Sequence, residues 1–326
     1  MTPHISGLRS EPSAERVCGI PDGSDRIEFA NRRAYDFSIA TLTAALRSDR
    51  VVLVRNALEG EADQIMADVA ADLGLITGLE GQAAFAAIQG HRKNVSKYFM
   101  TVNRRKQFAI VLPHSEGTRF QGIQLASLYC YENTTDGGVT MLVNYDQTSA
   151  AWRSMRELIT RIDPSGGPLT ATGRAIARAK FMAEELPGAD DLLLEHRQSD
   201  MPDVKLLWAL TPLGKSFSKV LQREVYTYWD SVASVDVDSV KECVRLLEGY
   251  DLLRQPVNGA RIDHLDPAYG HRLWSSGVAY ADLFQSVIVH KLRPGDLIIQ
   301  NNLTWAHAAS NWTPGSGIRK IIAAFA

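Results

Sequence analysis

The sequence predicts an α+β chain with a mainly β core, and two observations carry that prediction. Apolar, β-branched runs cluster towards both ends of the chain, while the middle reads as amphipathic helices separated by Pro-Gly-rich breaks. A β-rich start and a β-rich finish around a helical middle imply one sheet system whose sequence-distant parts pair in space.

The elements follow in order. DRVVLVRNA (49–57) is a short β-branched strand, and EGEADQIMADVAADLGL after it has apolar residues at helical spacing. QFAIVLP, IQLASLYCY and VTMLVN are strands between 107 and 144, broken by turn-formers at 133–138. From 148 to about 253 the pattern predicts helices in SAAWRSMRELITRI, ATGRAIARAKFMAEEL and DSVKECVRLLEGYDLL, with DPSGGP and LPGADD between them. SVIVHKL, DLIIQ and IRKIIAAFA return the chain to strands. No internal repeat interrupts this order, so residues 1–326 are expected to form one domain, with 148–285 as a helix-rich insertion or lid.

Composition narrows the function. Lysines and arginines number 35 against 37 acids, a formal net charge of −2. Without a basic surplus, nucleic acid is not an expected partner. Cys18, Cys130 and Cys243 are odd in number and far apart, which argues against a disulfide framework or a zinc ribbon. The polar N-terminus lacks the apolar region of a signal peptide, and no apolar run approaches membrane-spanning length. A cytoplasmic protein with a small-molecule substrate and no membrane partner is the expectation. Self-association through the helical insertion fits its length.

The chemistry concentrates in LPHSEGT (112–118). In an extended chain residues i and i+2 share a face, so the imidazole of His114 and the carboxylate of Glu116 can meet at one point. Chance gives roughly one His-x-acid pair in this composition, and two are present. His114-Ser-Glu116 lies between apolar strands, where side chains converge. His264-Leu-Asp266 lies in NGARIDHLDPAYGH, a polar stretch that reads as a loop. A third ligand is available from RPGDLIIQNNLTWAHAASNW, where a Pro-Gly-Asp turn opens a strand and His307 follows it. Two nitrogens and one carboxylate oxygen on one face of a metal leave the opposite face open, the donor set of non-haem iron(II) oxygenases.

The order His-x-acid, then Gly-Gly-x-Thr at 137–140, then Pro-Gly-Asp-strand-His, then Arg319 resembles the iron(II)/2-oxoglutarate-dependent oxygenases of the taurine dioxygenase superfamily. Glu at the middle position resembles the clavaminate synthase and amino-acid hydroxylase branch. The resemblance covers about 50–145 and 285–326. It implies a double-stranded β-helix, a jelly-roll of the cupin kind, with flanking and inserted helices. It also implies an enzyme that uses Fe(2+), 2-oxoglutarate and O2 to hydroxylate, desaturate or cyclise an unactivated C–H bond of a small amino-acid-like metabolite.

Carried over by position, His114, Glu116 and His307 match the iron ligands. Thr140 matches the hydrogen-bond donor to the co-substrate, and Arg319 matches the partner of its far carboxylate. Lys320 is the neighbouring cation, but successive strand residues face opposite sides, so only one of the two can point inward. Thr118, Arg119 and Phe120 follow the ligand pair closely enough to line a substrate cavity, and Trp274, Trp305 and Trp312 are candidates for its wall. One departure stands out: Asn301-Asn302-Leu303 replaces the Asp-Asn-Arg that relatives often carry before the last histidine. Two other classes stay open at this point, a zinc-dependent hydrolase on the same triad and a non-catalytic β-barrel binding protein.

Overall fold

The computed structural model describes residues 26–34, 37–89, 92–102, 110–117, 122–145, 147–148, 150–154, 156–184, 188–197, 199–201, 204–212, 224–225, 284–313 and 315–326. Strand β1 (Ile27–Asn31) and helix α1 (Ile39–Arg47) precede β2 (Val51–Arg55), α2 (Glu59–Asp72) and α3 (Ile76–Gln89). Next come β3 (Met100–Thr101), β4 (Ile110–His114), β5 (Leu125–Asn133) and β6 (Thr140–Tyr145). The middle holds α4 (Ala150–Ser154), β7 (Arg156–Ile162), α5 (Ala171–Phe181), β8 (Leu192–Arg197), β9 (Leu206–Pro212) and the short β10 (Glu224–Val225). Last are β11 (Phe284–His290), β12 (Leu297–Asn301), β13 (Trp305–Ala309) and β14 (Arg319–Phe325).

A mixed sheet and an antiparallel sheet pack face to face. One has the order β1-β2-β12-β5-β14-β3 and the other β10-β4-β13-β6-β11. The ends of the chain pair as the sequence pattern requires: β12 lies antiparallel to β2, and β13 lies antiparallel to β4. Strand alternation sorts the core into two layers. In β2, Val51 and Leu53 face the second sheet while Val52 and Val54 face the helices. In β14, Ile321, Ala323 and Phe325 point to the second sheet, and Ile322 and Ala324 to the helices. Both faces of these strands are covered, which is why they read as continuous apolar runs rather than alternating ones.

The helices form the outer layer for local reasons. The side chain of Ser38 caps α1 by accepting from the Thr41 amide. Glu61 reaches back to the Leu58 amide at the start of α2, and Glu59 adds a favourable charge in that first turn. Ala62, Ile65, Met66, Val69 and Ala70 then form one buried stripe at helical spacing, packed on the first sheet.

The middle of the chain departs from the helix-rich expectation. Its described residues contain α4, α5 and a three-stranded antiparallel sheet of order β7-β9-β8. SMRELITRI is the misread stretch. Met155, Leu158, Ile159 and Ile162 stand at helical spacing, yet Arg156–Ile162 pairs along its length with β9. Ile159, Thr160, Arg161 and Ile162 are all buried, so both faces of the strand are covered, and a buried arginine breaks the alternation that would have marked it. Ile162, Ala177, Ala183, Val204 and Leu206 give this sheet and α5 their own small core. DSVKECVRLLEGYDLL lies outside the described residues, as does most of 213–283. Among the described residues no helix is long and apolar enough to cross a membrane.

Candidate metal centre

The centre is assembled on the second sheet. His114 ends β4 and is the register partner of His307, which lies on β13 between β4 and β6. Their rings stand 4.4 Å apart between centroids. Beyond the strand end the chain bends at Glu116-Gly117, and the φ of 89° at Gly117 is left-handed. The turn brings Glu116 back to the two rings. Its Oε1 is 3.5 Å from His114 Nε2 and 3.4 Å from His307 Nε2. One ligand atom from each of the three residues lies within 4.8 Å of the others. Separations of that size leave room for one ion between them at metal–ligand bonds of roughly 2 Å.

Three residues outside the triad hold it in place. Asn302 is fully buried and grips the main chain of Glu116 from both sides: its Oδ1 accepts from the Glu116 amide, and its Nδ2 donates to the Glu116 carbonyl, each at 2.9 Å. Arg92, on the loop after α3, donates from Nη2 to Glu116 Oε2 at 3.2 Å while its guanidinium lies 4.9 Å over the Phe325 ring. Gln300 is buried on the inner face of β12, in the other sheet, and its amide lies 3.3 Å from His307 Nδ1. The Gln300 Nε2 also donates to the Trp305 carbonyl at 3.4 Å, so the amide ties the His307 ring to the main chain of its own strand.

The electrostatics suit a cation. Burial alone would raise the Glu116 carboxyl, but hydrogen bonds with His114 and His307 and the Arg92 charge outweigh it and hold the group well below the usual range. Burial, with His114 beside it, lowers His307 below the ordinary histidine value despite the nearby carboxylate. A carboxylate and a neutral imidazole are the forms a metal needs. The donor set therefore fits a non-haem iron(II) ion by its chemistry.

The interior continues past the triad. Thr140 is on β6, two residues from Leu142, the register partner of His307, and on the same inner face. It is buried, and its Oγ1 has no hydrogen-bond partner among the described residues. Arg319 opens β14 on the inner face of the first sheet and donates from Nε to the Gly138 carbonyl at 3.1 Å.

Two close approaches, one by the main chain at Asn311 and one by Arg319, explain the two glycines before Thr140. A Cβ at Gly137 would sit 2.1 Å from the Asn311 carbonyl oxygen. Gly138 has φ +63°, and a Cβ there would sit 2.7 Å from Arg319 Cδ. Lys320 leaves the strand on the other face, with Nζ 4.1 Å from the Tyr131 ring centroid.

The structure brings His114, Glu116 and His307 together and sets Thr140 and Arg319 in the same interior. Thr118, Arg119 and Phe120 lie outside the described residues, as do His264, Asp266 and Trp274. Trp305 is a core residue rather than a cavity wall: it is fully buried and donates its indole N–H to the Asp49 carbonyl. Arg92 and Gln300 carry no sequence signal, since neither stands in a recognisable spacing to the triad. Asn302 does carry one, as the polar residue retained from the Asp-Asn-Arg pattern.

No protein-family model matches the chain, and no curated protein matches it. Solved structures do. AAD-2 in complex with Mn(II) and N-oxalylglycine is 14% identical, with 88% of this chain and 86% of that chain covered and a TM-score of 0.34. A putative alpha-ketoglutarate-dependent taurine dioxygenase from Burkholderia xenovorans is 17% identical, with 88% and 79% covered and a TM-score of 0.33. PvcB, an Fe, alpha-ketoglutarate dependent oxygenase from an isonitrile synthetic pathway, is 10% identical, with 91% and 81% covered and a TM-score of 0.35. Likeness at this level does not transfer a reaction, so the site's own residues carry the functional reading.

Proposed function

We propose that this chain is an iron(II)- and 2-oxoglutarate-dependent oxygenase on a double-stranded β-helix, acting on a small amino-acid-like metabolite. The observation that carries the reading is the convergence of His114, Glu116 and His307 from two adjacent strands and the turn beyond one of them. Iron(II) bound there would supply dioxygen activation, coupled to decarboxylation of 2-oxoglutarate to succinate and oxidation of an unactivated C–H bond.

The chain's own residues do the positioning. His114 and His307 would offer a metal two nitrogens from neighbouring strands, and Glu116 one oxygen. Arg92 holds the second carboxylate oxygen, which favours one-oxygen ligation by Glu116. Thr140 is a diagonal neighbour of His307 on the sheet, roughly 7–8 Å away, within the span of a dicarboxylate whose keto-acid end is at the metal. Arg319 is placed to pair with the far carboxylate in a charge-assisted contact. Glu at position 116 supports an amino-acid-like substrate, by the branch the sequence resembles.

Aerobic incubation with iron(II), 2-oxoglutarate and a panel of amino acids tests the reading. The expected result is succinate release stimulated by one member of the panel. A zinc hydrolase or a non-catalytic binding protein releases none, and that outcome removes the proposal.

A further inference from the structure

Among the described residues, Thr140 Oγ1, His290 Nδ1 and Trp312 Nε1 are buried without a hydrogen-bond partner; Thr140 lies two residues from Gly138, whose carbonyl Arg319 holds, and His290 is the register partner of Thr140. A buried unpaired polar group costs free energy, so several gathered beside one arginine suggest a place made to receive a ligand. Trp312 belongs to this cluster by two routes. The Arg319 guanidinium lies 5.9 Å from its ring. Its chain segment is also laced to the one that carries Thr140: Val139 N donates to Ser310 Oγ and Ser310 N to the Val139 carbonyl, each at 2.9 Å, and Gly138 N donates to the Asn311 carbonyl at 3.1 Å.

The three atoms differ in what they can take. An indole N–H only donates, so Trp312 requires an acceptor, and beside a guanidinium the favoured acceptor is an anion. His290 is different. It is the register partner of Thr140, and its Nε2 is 2.9 Å from Asp296 Oδ2. Its Nδ1 is the nitrogen left without a partner, and a ring nitrogen can donate or accept where an indole N–H only donates. Cys130 is no rival donor to the cluster, because its S–H is already given to the Leu292 carbonyl at 3.6 Å.

We propose that the indole N–H of Trp312 is a third donor to the far carboxylate of the co-substrate, beside Arg319 and Thr140, and that it helps select a dicarboxylic 2-oxo acid over a monocarboxylic one. This rests on the oxygenase reading above. A carboxylate has two oxygens and about four lone-pair directions, enough to accept from a guanidinium, a hydroxyl and an indole together.

The test is calorimetric binding to the Mn(II)-loaded protein, with no turnover involved. Two ligands are compared, 2-oxoglutarate and 2-oxopentanoate, which share a keto-acid end and differ in the far carboxylate. Trp312→Phe keeps an aromatic ring and removes the N–H. It is expected to weaken 2-oxoglutarate about tenfold and to leave 2-oxopentanoate and Mn(II) within about twofold of the parent.

Equal weakening of both acids would make Trp312 a packing residue and overturn the proposal. Unchanged 2-oxoglutarate binding in Trp312→Phe, with a loss in Arg319→Gln, would also overturn it while leaving the oxygenase reading in place. A parent protein that does not prefer 2-oxoglutarate to 2-oxopentanoate would overturn both. Should Trp312→Phe not fold, 3-benzothienylalanine at position 312 replaces the N–H with sulfur in the same outline, and the same comparison applies.

Discussion

Glu116 acts through two oxygens with different partners. Oε1 faces the two imidazoles and Oε2 faces Arg92. Replacing His114, Glu116 or His307 by Ala is expected to abolish Mn(II) binding in a calorimetric titration while the circular dichroism spectrum stays that of the parent. Retained affinity in any one variant removes that residue from the triad. Arg92→Gln is expected to weaken Mn(II) about tenfold, the usual scale for a residue that orients a ligand, with partial recovery in Arg92→Lys. If affinity is unchanged in both, Arg92 serves only its packing on Phe325. The triad was legible in the sequence because a strand-end His-x-Glu and a distant strand histidine are local patterns. Arg92 was not, because its contact with Glu116 spans 24 residues and depends on where α3 ends.

Among the elements, β7 shows where periodicity misleads. Its apolar residues fit a helix, and its tertiary partners make it a strand. Arg161 is the reason the strand holds a charge inside: it pairs with both oxygens of Asp191, at 2.8 and 3.2 Å, and with Glu184. Removing one partner of a buried pair leaves the other charge uncompensated, so Arg161→Ala should cost about 3–5 kcal/mol in denaturant unfolding. A loss near zero would mean that water reaches the pair.

The same contact makes a pH prediction. Burial alone would raise the Asp191 carboxyl, but the hydrogen bonds from Arg161, Thr211 and the Gly188 amide hold it below the ordinary aspartate value. A depressed folded-state value means the contribution is complete above the unfolded aspartate pKa of about 3.9 and is lost as pH falls through the lower folded value. Acid unfolding of the parent should therefore steepen below about pH 4, and Arg161→Ala should remove part of that slope.

At the scale of the whole molecule, the pairing of the chain's two ends was readable from its β-rich termini, because a lone apolar strand must find partners. Which face each strand turns inward was also readable at β14, where Arg319 and Lys320 must part company. The cross-sheet polar contacts were not readable, since they join residues of different sheets with no fixed spacing. Gln300 on the first sheet meets His307 on the second, and Arg319 on the first meets the Gly138 carbonyl beside β6. The proposed ligands would therefore join the two sheets, with the metal held by the second and the far carboxylate shared between Arg319 on the first and Thr140 on the second.

Anything that binds only the folded state stabilises it, by about 2.7 kcal/mol at a hundred times Kd. Mn(II) should raise the thermal midpoint, and 2-oxoglutarate added to the Mn(II) form should raise it by several degrees more. In Arg319→Gln the first increment should persist and most of the second should vanish. Lys320→Gln should keep both, because that side chain lies over Tyr131 on the outer face. A full second increment in Arg319→Gln would place the far carboxylate away from β14, and loss of it in Lys320→Gln alone would mean that the two neighbours have exchanged faces.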